Sequence, residues 1–348
     1  MRYQDALYGL GDLGTVMDFL TAVARISVAG VLMAVAACAA LAPMQDAGAQ
    51  SYPTRTLRIV VPYAVGGNTD FTARSIAAKL KDVFGLAVVV ENRPGGATNI
   101  GSELIAQATP DGYSLLMGGA SNAINMSLFK ELAYDTTRDF APIVLCVQGA
   151  NVLAVHPALS ARTLKELISL AKAKPGQLNF ASSGIGSSNQ MAGELFKVMA
   201  GIDIVHVPYK GNAPAITDTI AGQVQMVLSG VPALLPHIQS GRLRAIAIGS
   251  LKRFSAVPEI PTFDESGLKG YEATTWFGLM APAKTPRDII NRLNVEVAKI
   301  LASADIKERF MVEGLEPMGG TPADFAKFIG SEIDKYAKVI KTAGVQQQ

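Results

Sequence analysis

The stretch "VVPYAVGGNTDFTAR" occupies residues 60–74 and runs from an apolar segment through a double glycine into a helix-like pattern. The segment "TLRIVVPY" (56–63) predicts a β-strand, and residues from about 70–84 repeat apolar side chains at helical spacing. Gly66 and Gly67 allow a tight turn between strand and helix. The stretch therefore predicts a β-turn-α unit of an α/β fold, whose turn is either a plain corner or an anion-binding loop.

The same alternation of strand-like and helix-like segments continues along the chain. Further strands are predicted at 86–92, 112–119, 151–157 and 277–282, and in "LNFASSG", "IDIVHVPY", "VQMVLSG" and "LRAIAIGS". Helices are predicted at 99–108, 188–200, 213–222 and 231–240, and after a capping box formed by Thr163 and Glu166. Two more are predicted after Thr285-Pro286 and Thr321-Pro322, where the threonine is expected as the N-cap and the proline as the first helical residue. Strands that alternate with helices at this spacing predict parallel sheets.

The alternation falls into two blocks, and the chain crosses between them twice. The first crossing is expected in "FAPIVLCVQGANVLAVHP" and the return near Trp276. The first lobe would then comprise 50–148 plus 276–348, and the second lobe 149–275. Two connecting segments between two α/β lobes predict a two-segment hinge with a ligand cleft between the lobes.

An export signal is predicted at the N-terminus. The apolar run at 26–42 follows Arg25 and precedes "AGA", a pattern typical of a secretory signal peptide whose cleavage removes residues 1–49. A retained membrane anchor and a lipoprotein site at Cys38 are the alternatives for this segment, and translation could start at Met17. The pattern favours a cleaved signal peptide and a periplasmic location.

Composition narrows the function classes. The full chain has 49% hydrophobic and 17% charged residues and a net charge of +2. Cleavage would remove two basic and four acidic residues and leave a net charge of about +4, without a Lys/Arg run that would indicate nucleic-acid binding. Cys146 would be the one remaining cysteine, in an apolar segment, so the mature chain would depend on its core and not on an internal disulfide.

Residues for catalysis or metal binding are not recognisable as a set. His156, His206 and His237 have no Cys or carboxylate neighbours at metal-ligand spacing, which favours structural roles. No serine lies in a G-x-S-x-G motif and no lysine completes a phosphate-binding loop. In "GIGSSN", Asn189 stands where a dinucleotide fingerprint has its third glycine. The sequence therefore predicts a protein that is not an enzyme and that holds no metal or cofactor.

Three glycine-rich loops remain as candidates for binding. They contain Gly66-Gly67, "SSGIGSSNQ" (182–190) and "YKGNAP" (209–214), and each joins a strand to a helix. The start of a helix presents free N–H groups and the positive end of a dipole. Loops of this kind in both lobes predict a small anion held between them, although each glycine could equally serve only a tight turn.

Five segments resemble one family in order and in detail. They are "YPTRTLRIVVPYAVGGNTDFTAR", "VVVENRPGGATNIGSELIAQATPDGYSLLMG", "HVPYKGNAPAITDTIAGQV", "PHIQSGRLRAIAIGS" and "VPEIPTFDESGLKGYEATTWFGLMAPAKTP". The chain resembles the Bug, or TctC-like, extracytoplasmic solute receptors of tripartite tricarboxylate transporters across essentially its whole mature length. The resemblance implies a type II periplasmic-binding-protein fold, a small carboxylate ligand and membrane permease subunits as partners. A monomer is the default for this architecture.

The resemblance also implies ligand-binding positions. In the first lobe they are Tyr63, Gly67, Asn68, Thr69, Asp70, Ser121 and Asn122. In the second lobe they are Ser183, Gly184, Ser187, Ser188, Asn189, Tyr209, Lys210, Gly211 and Asn212. Asp70 is expected to cap the helix rather than touch the anion, and Trp276 and Phe277 serve either as a cleft wall or as packing.

The chain departs from the family pattern at two places, so the identity of its ligand does not follow from the resemblance. Ala64-Val65 stand where prolines are frequent, and Gln225 stands where an aspartate is usual. The sequence thus predicts a periplasmic receptor that captures an organic acid by lobe closure and delivers it to a transporter. A receptor that feeds a signalling system is the alternative.

Overall fold

The computed structural model describes residues 17–18 and 52–347. The residues from Tyr52 onward form one compact unit. The predicted cleavage site and Cys38 lie outside the described residues, as does nearly all of the predicted signal peptide. Among the described residues, no helix combines the length and apolarity needed to span a bilayer.

Strands and helices alternate along the described unit. The strands are β1 (Leu57–Val61), β2 (Val88–Asn92), β3 (Ser114–Gly119), β4 (Phe140–Val155), β5 (Asn179–Ser182), β6 (Val205–Pro208), β7 (Met226–Gly230), β8 (Arg244–Ile248), β9 (Thr274–Pro282) and β10 (Leu315–Gly319). The helices are α1 (Asn68–Phe84), α2 (Asn99–Ala106), α3 (Ala120–Leu128), α4 (Leu164–Ala173), α5 (Ser188–Ala200), α6 (Asn212–Ile220), α7 (Val231–Gln239), α8 (Arg287–Ala302), α9 (Ala304–Val312) and α10 (Pro322–Ala343).

The strands of the first lobe lie in the order β2-β1-β3-β9-β4. Strand β1 pairs in parallel with β2 and β3, as helix crossovers require. Strand β9 lies between β3 and β4 and is antiparallel to both. The prediction of purely parallel sheets is therefore wrong here, because β9 re-enters from the second lobe and no crossover helix fixes its direction.

Strand β4 belongs to both lobes. Its first part pairs with β9 and β10, and residues from Asn151 to Val155 pair with β7 and β8. Strand β5 then pairs in parallel with β6 and β7. One strand of 16 residues thus forms the first connection between the lobes. The second connection is the segment between β8 and β9, where the Ala273 N–H donates to the Gly249 carbonyl. The exact lobe boundaries stay a prediction.

Helix starts show where local signals are reliable. The predicted capping box is confirmed, because Thr163 accepts from the Glu166 N–H at 3.2 Å. Thr321 caps α10 with Pro322 in the first turn, also as predicted. The expected cap at Thr285 is wrong, because Pro286 keeps an extended backbone and α8 begins one residue later. The Thr285 hydroxyl is buried without a hydrogen-bond partner among the described residues.

Helix α10 contributes side chains to the cores of both lobes. Phe325 and Ile329 belong to a buried cluster with Leu116 of β3, and Val339 belongs to the cluster around Phe180 of β5. On β4, Cys146 is fully buried, and burial raises the pKa of its thiol to about 12. Cys146 therefore packs as a small apolar residue.

Candidate functional site

Six of the described helices begin at one cavity of about 840 Å³. Helices α1, α2 and α3 approach it from the first lobe, and α5, α6 and α7 from the second. Each of these helices follows a strand or a short loop, so the cavity lies beyond the carboxyl ends of the strands, where open α/β sheets bind ligands. We refer to this cavity as the cleft.

The cleft has no formally charged lining. Every described residue that lines it is a glycine, proline, alanine, valine, serine, threonine, asparagine, tyrosine or phenylalanine. Its electrostatic character therefore comes from backbone N–H groups, polar side chains and helix dipoles. The first N–H groups of a helix have no intrahelical acceptor, so converging helix starts favour a negatively charged ligand.

The start of α1 leaves its amides available. Gly67 is the N-cap residue, and no side chain caps the first turn. Asp70 does not line the cleft, because its carboxylate accepts hydrogen bonds from the Gly66 N–H (3.0 Å), Arg74 and Asn92. Burial alone would raise the pKa of Asp70, but these hydrogen bonds outweigh it and hold the pKa below its usual value. Asp70 thus stabilises the loop through these hydrogen bonds and has no contact with the cleft.

The start of α5 is organised differently. The Ser187 hydroxyl accepts from the Gln190 N–H at 3.2 Å, and the Gln190 side chain accepts from the Gly186 N–H at 2.8 Å. Because Ser187 is the N-cap, Ser188 and Asn189 are the first two residues of the helix, and both line the cleft. The Asn189 side chain also donates to the Asn212 side chain at 2.7 Å and so ties the starts of α5 and α6 together.

Two aromatic residues form one wall of the cleft. Tyr63 and Phe277 meet edge to face with ring centroids 6.3 Å apart, and both line the cleft. Burial raises the pKa of Tyr63 to about 12, and a hydrogen bond with Ser121 offsets only part of the rise. The Tyr63 hydroxyl is therefore neutral and can donate to an anion. Trp276 does not line the cleft, since its ring packs on Phe325 and Phe328.

The structure brings most of the predicted positions together. Those that line the cleft are Tyr63, Gly67, Asn68, Thr69, Ser121, Ser183, Ser187, Ser188, Asn189 and Asn212. Those that do not line it are Asp70, Asn122, Gly184, Tyr209, Lys210 and Gly211. Asn122 accepts from the Gly119 N–H, and Tyr209 donates to Asp218 at 2.8 Å, so both serve local structure. Ligand contact at all sixteen positions stays a prediction.

Sequence reasoning missed the loop before α2. Pro94, Gly95, Ala97 and Thr98 line the cleft although no role was assigned to them. Ala97 (φ 53°) and Thr98 (φ 81°) both adopt left-handed backbone conformations, which cost energy for residues with a Cβ. The Thr98 hydroxyl is buried and has no hydrogen-bond partner among the described residues. The Pro-Gly-Gly sequence is the signal that could have indicated this loop.

Both connections between the lobes also reach the cleft, through Asn151 on β4 and Thr275 on β9. Asn151 is buried and donates to the Ala273 carbonyl at 3.3 Å. This contact joins the two connecting segments beside the cleft. Elsewhere in the described unit, no three His, Cys, Asp or Glu side chains are grouped to hold a metal ion.

His206 supports the second-lobe loop without reaching the cleft. Its Nε2 lies 2.6 Å from the Ser182 hydroxyl, which accepts from the Gly184 N–H at 3.1 Å. Gly184 has a φ of 133°, so this short chain of contacts fixes a turn that favours glycine. Burial, with a smaller contribution from Lys197, lowers the pKa of His206 to about 4.

Acid is therefore expected to destabilise the protein through His206. Between pH 6.5 and about 4, the unfolded chain binds a proton at this ring that the folded chain does not, so stability falls as the pH falls. The slope is at most about 1.4 kcal/mol per pH unit, and partial exposure of the ring reduces it. A His206→Gln variant should show a shallower decline in urea unfolding across this window. An equal slope in both proteins would contradict this role.

Known proteins share this architecture with the chain. The chain is 36% identical to the protein BugT of Bordetella pertussis over 92% of this chain and 98% of that protein. A solved R. palustris protein with adipate is 36% identical, with a TM-score of 0.76 over 84% of this chain and 98% of that chain. MatC from Rhodopseudomonas palustris with bound malate is 30% identical, with a TM-score of 0.73 over 83% of this chain and 100% of that chain.

These likenesses confirm the predicted type II periplasmic-binding-protein fold with two α/β lobes. A family model described as the tripartite tricarboxylate transporter family receptor, TctC, matches residues 72–345. The match includes α1 from its second turn onward and all later elements of both lobes. The chain therefore belongs to the TctC receptor family of tripartite tricarboxylate transporters.

Proposed function

We propose that the protein is a periplasmic receptor that captures a small organic acid in the cleft and delivers it to membrane permease subunits. The observation that carries this proposal is the convergence of six helix starts on a cavity without charged lining. A carboxylate would accept hydrogen bonds from these N–H groups, and charge-assisted bonds of this kind are the stronger ones. Adipate and malate in two relatives support a carboxylate ligand.

Lobe closure would bring the two sets of helix starts onto one ligand. Gly186 of the second lobe packs directly on the first lobe, since an added Cβ would lie 2.9 Å from a methyl carbon of Leu128. Further contact between the lobes on closure would exclude water from the cleft. Hydrogen bonds to an anion are stronger in such a water-poor space. Dissociation constants near micromolar, about 8 kcal/mol of binding free energy, suit a scavenging receptor.

The test is a thermal-shift screen of the mature protein against mono-, di- and tricarboxylates, amino acids and sugars. A ligand that binds only the folded state raises the melting temperature, by mass action, in proportion to the logarithm of its concentration. We expect carboxylates alone to do so. The proposal fails if no carboxylate stabilises the protein while another ligand class does.

Delivery to a permease needs its own measurement. Deletion of the gene should abolish cellular uptake of the acid that the screen identifies, and plasmid-borne expression should restore it. Unchanged uptake together with a lost transcriptional response to the same acid would instead assign the receptor to signalling.

A further inference from the structure

Four consecutive residues in the loop before α2 have a positive φ. The angles are 127° at Gly95, 54° at Gly96, 53° at Ala97 and 81° at Thr98. Glycine adopts such angles freely, whereas a residue with a Cβ disfavours the left-handed conformation by roughly tenfold. We refer to these four residues as the left-handed turn. Ala97 and Thr98 keep this conformation only because other parts of the fold hold them in it.

The left-handed turn forms part of the cleft wall and also faces the second lobe. Gly95, Ala97 and Thr98 line the cleft. A Cβ added at Gly186, in the loop before α5, would lie 4.0 Å from the Ala97 Cβ. Ala97 therefore lies where the cleft meets the contact between the two lobes. A change in its backbone conformation would alter the shape of the cleft.

The side chain of Asn125 on α3 holds the left-handed turn from within the first lobe. Its Nδ2 donates to the Ala97 carbonyl and to the Asn99 Oδ1, both at 2.7 Å. The Asn99 Oδ1 also accepts from the Tyr134 hydroxyl at 3.1 Å, so the residue that follows the turn is fixed as well. Asn125 is fully buried and does not line the cleft. It can therefore act on a ligand only through the turn.

The acceptor side of the same amide has no partner. The Asn125 Oδ1 is buried without a hydrogen-bond donor in the described part of the chain. A buried polar atom without a partner lowers stability, and an apolar side chain of similar shape would avoid this cost. The two bonds that Asn125 donates are therefore what distinguishes asparagine from leucine at this position.

We propose that Asn125 is a positioning residue, whose hydrogen bond to the Ala97 carbonyl keeps the left-handed turn in the conformation that a bound ligand contacts. Without this bond, Ala97 and Thr98 would also adopt right-handed or extended conformations, which residues with a Cβ prefer. The apparent dissociation constant rises as the fraction of molecules with the competent turn falls. The inference rests on the proposed function, because it needs a ligand in the cleft.

Isothermal titration with adipate and with malate tests this role. Asn125→Leu, which removes both donors and keeps the approximate shape, should weaken binding by roughly tenfold, because Ala97 loses the support for its left-handed conformation. Ala97→Gly alone should bind like wild type. Ala97→Gly added to Asn125→Leu should restore most of the affinity, since glycine adopts a positive φ without support. The two substitutions are thus expected to be non-additive. Asn125→Ala, with and without Ala97→Gly, is the second pair of variants, for the case that leucine prevents folding.

Hydrogen exchange of the unliganded protein measures the turn directly. The Thr98 N–H donates to the Gly95 carbonyl, and the Asn99 N–H donates to the Gly96 carbonyl. Both amides should exchange faster in Asn125→Leu than in wild type, because the turn opens more often. Equal exchange rates in the two proteins would show that Asn125 does not hold the turn.

The matched control is Asn294→Leu. The Asn294 side chain also donates two hydrogen bonds, to the Ile143 and Gly320 carbonyls at 2.8 and 2.9 Å, and it lies outside the cleft. This variant should lower the melting temperature and leave affinity unchanged. The inference is wrong if Asn125→Leu binds like wild type, or if Ala97→Gly fails to restore affinity. If wild type binds no carboxylate at all, the proposed function fails, and the exchange rates alone still decide whether Asn125 holds the turn.

Discussion

Replacing Asn68 by proline is expected to weaken carboxylate binding by about 10- to 100-fold, the equivalent of one hydrogen bond to a charged group. Asn68 is the first residue of α1 and lines the cleft. Its N–H has no intrahelical acceptor, and proline is well tolerated at this helix position. Gly67 is already extended (φ −84°, ψ 169°), as a residue before proline must be. The substitution thus deletes one donor and preserves the helix.

Asn68→Ala is the control, because it removes the side chain and keeps the N–H group. Isothermal titration with the strongest carboxylate from the screen measures both variants, and the melting temperature of the unliganded proteins checks that the fold is intact. If the alanine variant loses as much affinity as the proline variant, the side chain and not the amide binds the anion. Unchanged affinity in both variants would show that the start of α1 does not contact the ligand.

Replacing Trp276 by alanine is expected to lower the free energy of unfolding by about 3–5 kcal/mol. Trp276 is fully buried on β9, where the second connection enters the first lobe. Its indole N–H donates to the Glu332 carboxylate of α10 at 3.0 Å, and Lys335 forms an ion pair with the same carboxylate. The alanine variant would leave a large cavity and would also remove a hydrogen bond from a buried carboxylate.

Trp276→Phe is the matched control for this prediction. It keeps the edge-to-face contact with Phe325 and loses chiefly the hydrogen bond to Glu332, so it should cost about 1–3 kcal/mol. Urea unfolding followed by circular dichroism measures both variants, because Trp276 is the only tryptophan and its fluorescence is lost. Ligand affinity well below the melting temperature should be unchanged. If the alanine variant is as stable as wild type but no longer binds ligand, Trp276 forms part of the cleft wall and this prediction is wrong.

The sequence predicted the elements that carry local signals. The α1 and α5 starts follow a strand and a glycine-rich turn, and Thr163 and Thr321 are caps whose partners lie three residues away. Hydrophobic periodicity over long segments then places the main helices. These signals depend only on neighbours in the chain, which is why they can be interpreted without a structure.

Features that depend on distant residues were not predictable in this way. Helices α3 and α9 and strand β10 were not predicted, because short segments have weak periodicity and their packing partners are remote. The antiparallel position of β9 depends on the return from the second lobe. Ala97 and Thr98 carry no sequence signal of their left-handed backbone, since such conformations persist only where surrounding contacts impose them.

The position of β9 also constrains when the protein can fold. The strand lies between β3 and β4 in the sheet but follows β4 in the chain by more than a hundred residues. At the ribosome or during translocation across a membrane, the chain emerges with its N-terminus first. The edges of β3 and β4 that pair with β9 therefore stay unpaired until residue 282 has appeared. Helix α10, which packs on both lobes, is later still. Native packing of either lobe is thus reached only when almost the whole chain has emerged, so folding is post-translational and, if the protein is exported, is completed after translocation.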